Sequence, residues 1–199
     1  MVLEVSWGRL ARAVAFYRER GYTYVEVPWT TEKKYAWMTC DLLGHVERVA
    51  PGKPHDVLVG SSEVSFLQMR DKGQLPPGKY VGISPCFRNE IVDDLHQEYF
   101  MKVELYRDDA VGSIQLENMI DDAFQFFLRE GRDQGLKTYE CKWVPTQEGY
   151  DIMIGGVEVG SYGIRYLPRG RAWIYATGVA EPRFSRALAL LKEGVDGIS

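Results

Sequence analysis

The feature that most constrains this chain is a pair of β-type runs, residues 79–88 and 98–106, joined by the short polar stretch N-E-I-V-D-D-L-H-Q. So short a connection predicts an antiparallel hairpin, because a parallel return needs a crossover of a dozen residues or more. Alternation puts Arg88 and Glu90 on one face of the first strand, and Phe100, Lys102 and Glu104 on one face of the second. A cation, carboxylates and an aromatic plate could there surround one ligand. The same residues also suit an ordinary amphipathic hairpin with cross-strand ion pairs.

Around the hairpin the pattern alternates between helix and strand. Residues 7–20 place Leu10, Ala13, Val14 and Tyr17 on one helical face, with Ser6 as N-cap and Gly21 as stop. Y-T-Y-V-E-V at 22–27 reads as a strand ended by Pro28. Residues 56–69 read as a short buried strand, a small-residue turn and a helix capped by Ser61 or Ser62. A helix over 114–130 carries Leu116, Met119, Ile120, Ala123, Phe124, Phe127 and Leu128, with Gly131 after it. Strands follow near 137–144, 150–154, 157–159, 163–166 and 172–176, and a last helix begins near Glu181 and Pro182 and carries Leu188, Leu190 and Leu191. Hairpin-like spacing and too few crossover helices predict an α+β fold, an antiparallel sheet flanked by helices.

The length of 199 residues, with 45% hydrophobic and 26% charged, predicts one domain over 1–199 with a substantial core. No segment has the apolar length of a membrane span and no basic start precedes an apolar run, so a soluble cytoplasmic chain is expected. Cys40, Cys86 and Cys141 are odd in number and far apart, which fits neither a disulfide framework nor a zinc motif. Cys86 and the stripe Phe124, Phe126 and Phe127 read as core, and His45 and His55 as surface. The net charge of −4 supplies no general attraction for polyphosphate.

With these residues in hand, the hairpin resembles motif 2 of the class II aminoacyl-tRNA synthetases, with P-C-F-R-N-E before the loop and F-M-K-V-E-L after it, closest to the seryl type. Residues 21–28 resemble motif 1, the element at that family's dimer interface, and Ser61-Ser62-Glu63 resembles its Thr/Ser-x-Glu loop. E-V-G-S at 158–161 resembles the acidic strand of the seryl type, and T-G-V-A-E-P-R at 177–183 resembles motif 3. The resemblance implies a class II synthetase-like core, a homodimer, an amino acid substrate, and ATP with Mg²⁺ as cofactors. It implies that Arg88 clamps the α-phosphate and Arg183 the γ-phosphate as the catalytic arginines. Phe100 would stack on adenine with Glu90 near the base, and His96 would reach the γ-phosphate. Glu63 would bind the amino group, Glu104 would read the side chain or the amine, and Glu158 and Ser161 would coordinate Mg²⁺.

Two departures bear on activity. Glu181 and Pro182 stand where motif 3 usually carries glycines, and Arg186 competes with Arg183 for the motif 3 arginine. The loop carries Glu90, Asp93, Asp94 and Glu98 without lysine or arginine, which speaks against a tRNA acceptor end, although Arg165, Arg169 and Arg171 could supply a basic turn elsewhere. The expected function is ATP-dependent amino acid activation with transfer to an acceptor other than a full tRNA. The alternative is an inactive synthetase paralogue acting as a dimeric binding or regulatory module.

Overall fold

The computed structural model describes residues 4–39, 49–50, 53–89, 91–167 and 170–194. In chain order these form α1 (Trp7–Arg18), β1 (Thr23–Tyr24), β2 (Thr30–Glu32), α2 (Lys33–Ala36), β3 (Val49–Ala50), β4 (Lys53–Leu58), α3 (Ser62–Asp71), β5 (Lys79–Phe87), β6 (Tyr99–Arg107), α4 (Ser113–Arg132), β7 (Cys141–Pro145), β8 (Gly149–Ile154), β9 (Val157–Tyr166), β10 (Ala172–Glu181) and α5 (Arg183–Glu193). One seven-stranded sheet runs β1-β5-β6-β10-β9-β8-β7, antiparallel except where β1 meets β5, and β2-β4-β3 form a second, smaller sheet. This is the expected α+β class.

Element types follow local sequence, while lengths follow pairing. The strand expected at 22–27 shortens to β1, although the Val25 N–H still donates to the Val81 carbonyl at 3.0 Å. Tyr22 is drawn instead into the core, its hydroxyl donating to Asp122 at 3.0 Å. The two strands expected at 157–159 and 163–166 are one, β9, because β8 pairs with it from Val157 to Gly163, across Gly160 and Ser161, and β10 pairs with it from Tyr162 to Tyr166. There, tertiary pairing overrides weak strand propensity.

The two faces of the large sheet differ. On one, α1, α4 and α5 press Leu10, Phe16, Tyr17, Ile120, Phe126, Phe127 and Phe184 against Val103, Leu105 and Ile174. On the other, α3 covers only one end of the central strands, with Phe66 stacked 5.2 Å from Tyr106 and close to Tyr80 and Trp173. Cys86 and Cys141 are buried, and burial pushes their thiols up to about 11 and about 12, so both are packed core groups rather than nucleophiles.

Candidate active site

Beyond the end that α3 covers, the same sheet face floors a cavity of about 370 Å³. Its floor starts from the hairpin: Phe100, Lys102, Glu104 and Tyr106 project to this side of β6, and their β5 partners are Cys86, Ser84, Gly82 and Tyr80. Arg88 continues beyond β5, its N–H donating to the Glu98 carbonyl at 2.8 Å. Its guanidinium lies 5.7 Å from the Phe100 ring centroid, and its Nε donates to the Gly60 carbonyl at 3.2 Å.

Two register shifts complete the floor. Glu158 and Ser161 are three residues apart, and plain alternation would send them to opposite faces. Between Ile152 and Met153 the β8–β9 register slips, so that Gly160 opposes Ile152 while Glu158 opposes Met153. Val159 is the extra residue, and both Glu158 and Ser161 line the cavity. On β10 the register slips at Gly178, between Thr177 and Val179, so that Thr177 and Ala180 both line the cavity. Glycine is needed there: a Cβ on Gly178 would lie 2.9 Å from both Tyr17 Cε2 and Val103 Cγ1, while the Tyr17 hydroxyl donates to the Gly178 carbonyl at 2.8 Å.

The cavity thus gathers Glu63, Arg88, His96, Phe100, Glu158, Ser161 and Arg183 from among the residues singled out in the sequence. Glu104 is different. It is fully buried beneath the cavity, accepting from Ser61 Oγ and from Lys102 Nζ at 3.0 Å, and it does not line the surface. Glu90 lies outside the described residues, as do Cys40, His45 and Arg169. Lys102, Thr177, Tyr175 and Arg165 also line the cavity. Alternation had already placed Lys102 on the face of Phe100, whereas Arg165 was visible in the sequence only as a charge in a basic turn, and nothing local marked it as facing this space.

The corner between β10 and α5 separates Arg183 from Arg186. Arg183 lines the cavity, its Nε donating to the Leu95 carbonyl at 3.3 Å and its Nη1 lying 3.9 Å from Glu158. Arg186 turns to Asp94 at 2.9 Å and Glu193 at 3.2 Å. Glu181 is directed away from the cavity and fully buried, where it pairs with Arg9 of α1 and accepts from the Ser185 N–H at 3.4 Å. The carboxylate that departs from the motif 3 pattern is therefore held behind the sheet by an arginine distant in sequence.

Charges around the site are matched internally. Glu63 Oε1 accepts from Arg165 Nε at 3.0 Å and from Trp173 Nε1 at 2.6 Å; burial raises its pKa, opposed by the Arg165 charge. Burial also raises Glu158, with Arg183 opposing and Asp151 adding. The loop acids have partners too. His96 Nδ1 and the N–H groups of Leu95 and His96 hold the Asp93 carboxyl down to about 2, and Asp94 meets Arg186. Of the basic turn, Arg165 points into the cavity and Arg171 pairs with Asp71. The expected repulsion by the loop and the expected attraction by the turn are both reduced.

A carboxylate and a hydroxyl on one face suit a hard cation that completes its shell with phosphate oxygens and water, as Mg²⁺ does. Among the described residues no group of three His, Cys, Asp or Glu side chains could cage a metal without such help. No helix among the described residues is long and apolar enough to cross a membrane.

No protein-family model and no curated protein matches this chain. Solved structures do. A crystal structure of pyrrolysyl-tRNA synthetase from Desulfitobacterium hafniense superposes with a TM-score of 0.64 at 16% identity, over 95% of this chain and 70% of that one. A second structure of pyrrolysyl-tRNA synthetase from that organism gives 0.65 at 14%, over 97% and 69%. At such identity the likeness carries the fold alone: this chain has the fold of a class II aminoacyl-tRNA synthetase catalytic domain.

Proposed function

We propose that this chain activates a small amino acid with ATP, joining the substrate carboxylate to the α-phosphate and releasing pyrophosphate. The observation that carries this reading is the convergence of Arg88, Phe100, Glu158, Ser161 and Arg183 on one cavity, from just beyond β5 and from β6, β9 and α5. The reaction requires no enzyme nucleophile. It requires two anions held together while phosphate charge is neutralised, which oriented arginines do by proximity and electrostatics.

In this reading Phe100 stacks on adenine, Arg88 faces the α-phosphate, and Arg183 with His96 faces the outer phosphates; Glu90 is assigned beside the base on the sequence resemblance alone. Glu63, with Glu104 behind Ser61 and Lys102, makes the end that attracts the substrate ammonium. Glu158 and Ser161 would hold Mg²⁺, which when bound neutralises phosphate charge. The likeness to the seryl type concerns this phosphate-handling set, not the identity of the amino acid. We also assign a two-fold dimer through residues 21–28, which sedimentation would test; a monomer at tens of micromolar would remove that assignment.

Amino-acid-dependent ATP–pyrophosphate exchange across the standard amino acids tests activation without requiring the acceptor. Exchange with at least one small amino acid, lost in Arg88→Ala while far-ultraviolet circular dichroism is unchanged, is the expected result. A second reading, a dimeric binding or regulatory module without catalysis, is favoured by the internal pairing of Glu63 with Arg165 and Glu104 with Lys102. MgATP binding without exchange for any amino acid would select it. For the acceptor we propose a molecule other than a full tRNA, since Arg165 and Arg171 are engaged with Glu63 and Asp71 and the net charge is −4. Saturable tRNA binding with a steep negative salt slope would reverse that assignment.

A further inference from the structure

Strand register gives the cavity two distinct ends. Phe100 and Glu158 open β6 and β9, which run in the same direction on either side of β10, and Arg165 lies seven residues beyond Glu158. At about 3.3 Å per residue the separation is on the order of 20 Å. At the far end stands a cation held in place. Arg165 and Trp173 are cross-strand partners, and both donate to the same Glu63 oxygen. The Arg165 guanidinium lies 4.5 Å from the Tyr175 ring centroid, with Glu148 3.8 Å from its Nη1.

We infer that Arg165 is the residue that sets substrate size, and that this site takes an amino acid whose side chain is a hydrogen, a methyl or a hydroxymethyl group. This rests on the adenylate-forming reading for the location of the substrate, but makes a separate claim about selection. The cavity of about 370 Å³ is at the low end of the ~300–1,000 Å³ usual for small-molecule sites, and in this reading it holds a nucleotide as well. A longer side chain would have to displace the guanidinium and break its bond to Glu63, which is 4% exposed. Breaking a hydrogen-bonded ion pair whose carboxylate is buried costs free energy that displacing an apolar contact would not, so the pair adds an energetic penalty to the steric one. A lysine or arginine side chain would in addition meet like charge, and an aspartate would bring a third carboxylate beside Glu63 and Glu148 around one guanidinium.

Calorimetric titration of glycine, alanine, serine, valine, methionine and aspartate into the protein with a non-hydrolysable ATP analogue and Mg²⁺ tests this directly. Wild type should bind the tightest of glycine, alanine and serine about tenfold or more above valine, methionine and aspartate. Arg165→Ala should raise the affinity for valine and methionine relative to alanine by a similar factor, and Arg165→Lys, which keeps a cation near Glu63, should retain much of the wild-type order. If Arg165→Ala does not fold, the wild-type order together with Arg165→Lys decides the matter. Equal wild-type affinity for alanine and methionine, tight aspartate binding, an unchanged order in a folded Arg165→Ala, or binding of no amino acid would each overturn the inference. Selective binding without pyrophosphate exchange would uphold it while removing the activation reading.

Discussion

The two faces of the central sheet solve different problems with the same strands. Behind β6 and β10, Phe16, Tyr17, Phe126, Phe127 and Phe184 pack against Val103, Leu105 and Ile174, and burial of apolar surface does the holding. In front, one residue over in the alternation, Ser84, Glu104 and Thr177, with Glu63 from α3 above them, are as deeply buried but are held by hydrogen bonds and ion pairs. Burial of charge costs free energy that pairing only partly offsets, so the front contributes less to stability and keeps its charges for another use. The difference teaches that a β-strand can serve core and site at once, because its period of two separates them residue by residue.

The contrast is most directly broken from the back. Phe126→Ala should cost about 3–5 kcal/mol of unfolding free energy, read from urea midpoints, since an aromatic ring leaves a cavity among rigid neighbours. A cost near zero would mean that the back face is loosely packed. Close in size is the pair that ties α1 to the end of β10. Arg9→Met should lose about 3–5 kcal/mol by leaving the buried Glu181 carboxylate unpaired, whereas Arg9→Met combined with Glu181→Leu should recover most of that loss. A double variant as unstable as the single one would show that packing, not charge, holds the corner before Arg183.

From the front, Arg88→Ala should leave the urea midpoint nearly unchanged yet weaken MgATP binding by about 2–5 kcal/mol, whereas Arg169→Ala should leave binding unaltered. Equal effects in calorimetry would move the nucleotide elsewhere. The smallest effect is on pH dependence. Burial raises the native pKa of Glu63 above the ordinary 4.5, so the folded state holds this proton more readily than the unfolded chain. Its contribution therefore makes the protein more stable as pH falls from the raised value towards 4.5 and less stable as pH rises through it. Glu63→Gln should flatten that part of the melting-temperature profile; a steeper dependence in the variant would contradict the buried setting of the carboxylate.

Much of this protein was determined by its sequence alone. The hairpin of β5 and β6, the face shared by Phe100, Lys102 and Glu104, the helices α1, α4 and α5 and the α+β class all follow from short-range alternation, helical spacing and stop residues, which act within a few neighbours. Tertiary structure decided the rest. The faces of Glu158 and Ser161 depend on a slip against β8, which no spacing within β9 reveals. The choice of Arg183 over Arg186, and the withdrawal of Glu181 from the cavity, depend on Asp94 and on Arg9, which stand 92 and 172 residues away along the chain. A local pattern records the direction a side chain takes from its own backbone; it holds no record of which distant charge will be waiting there.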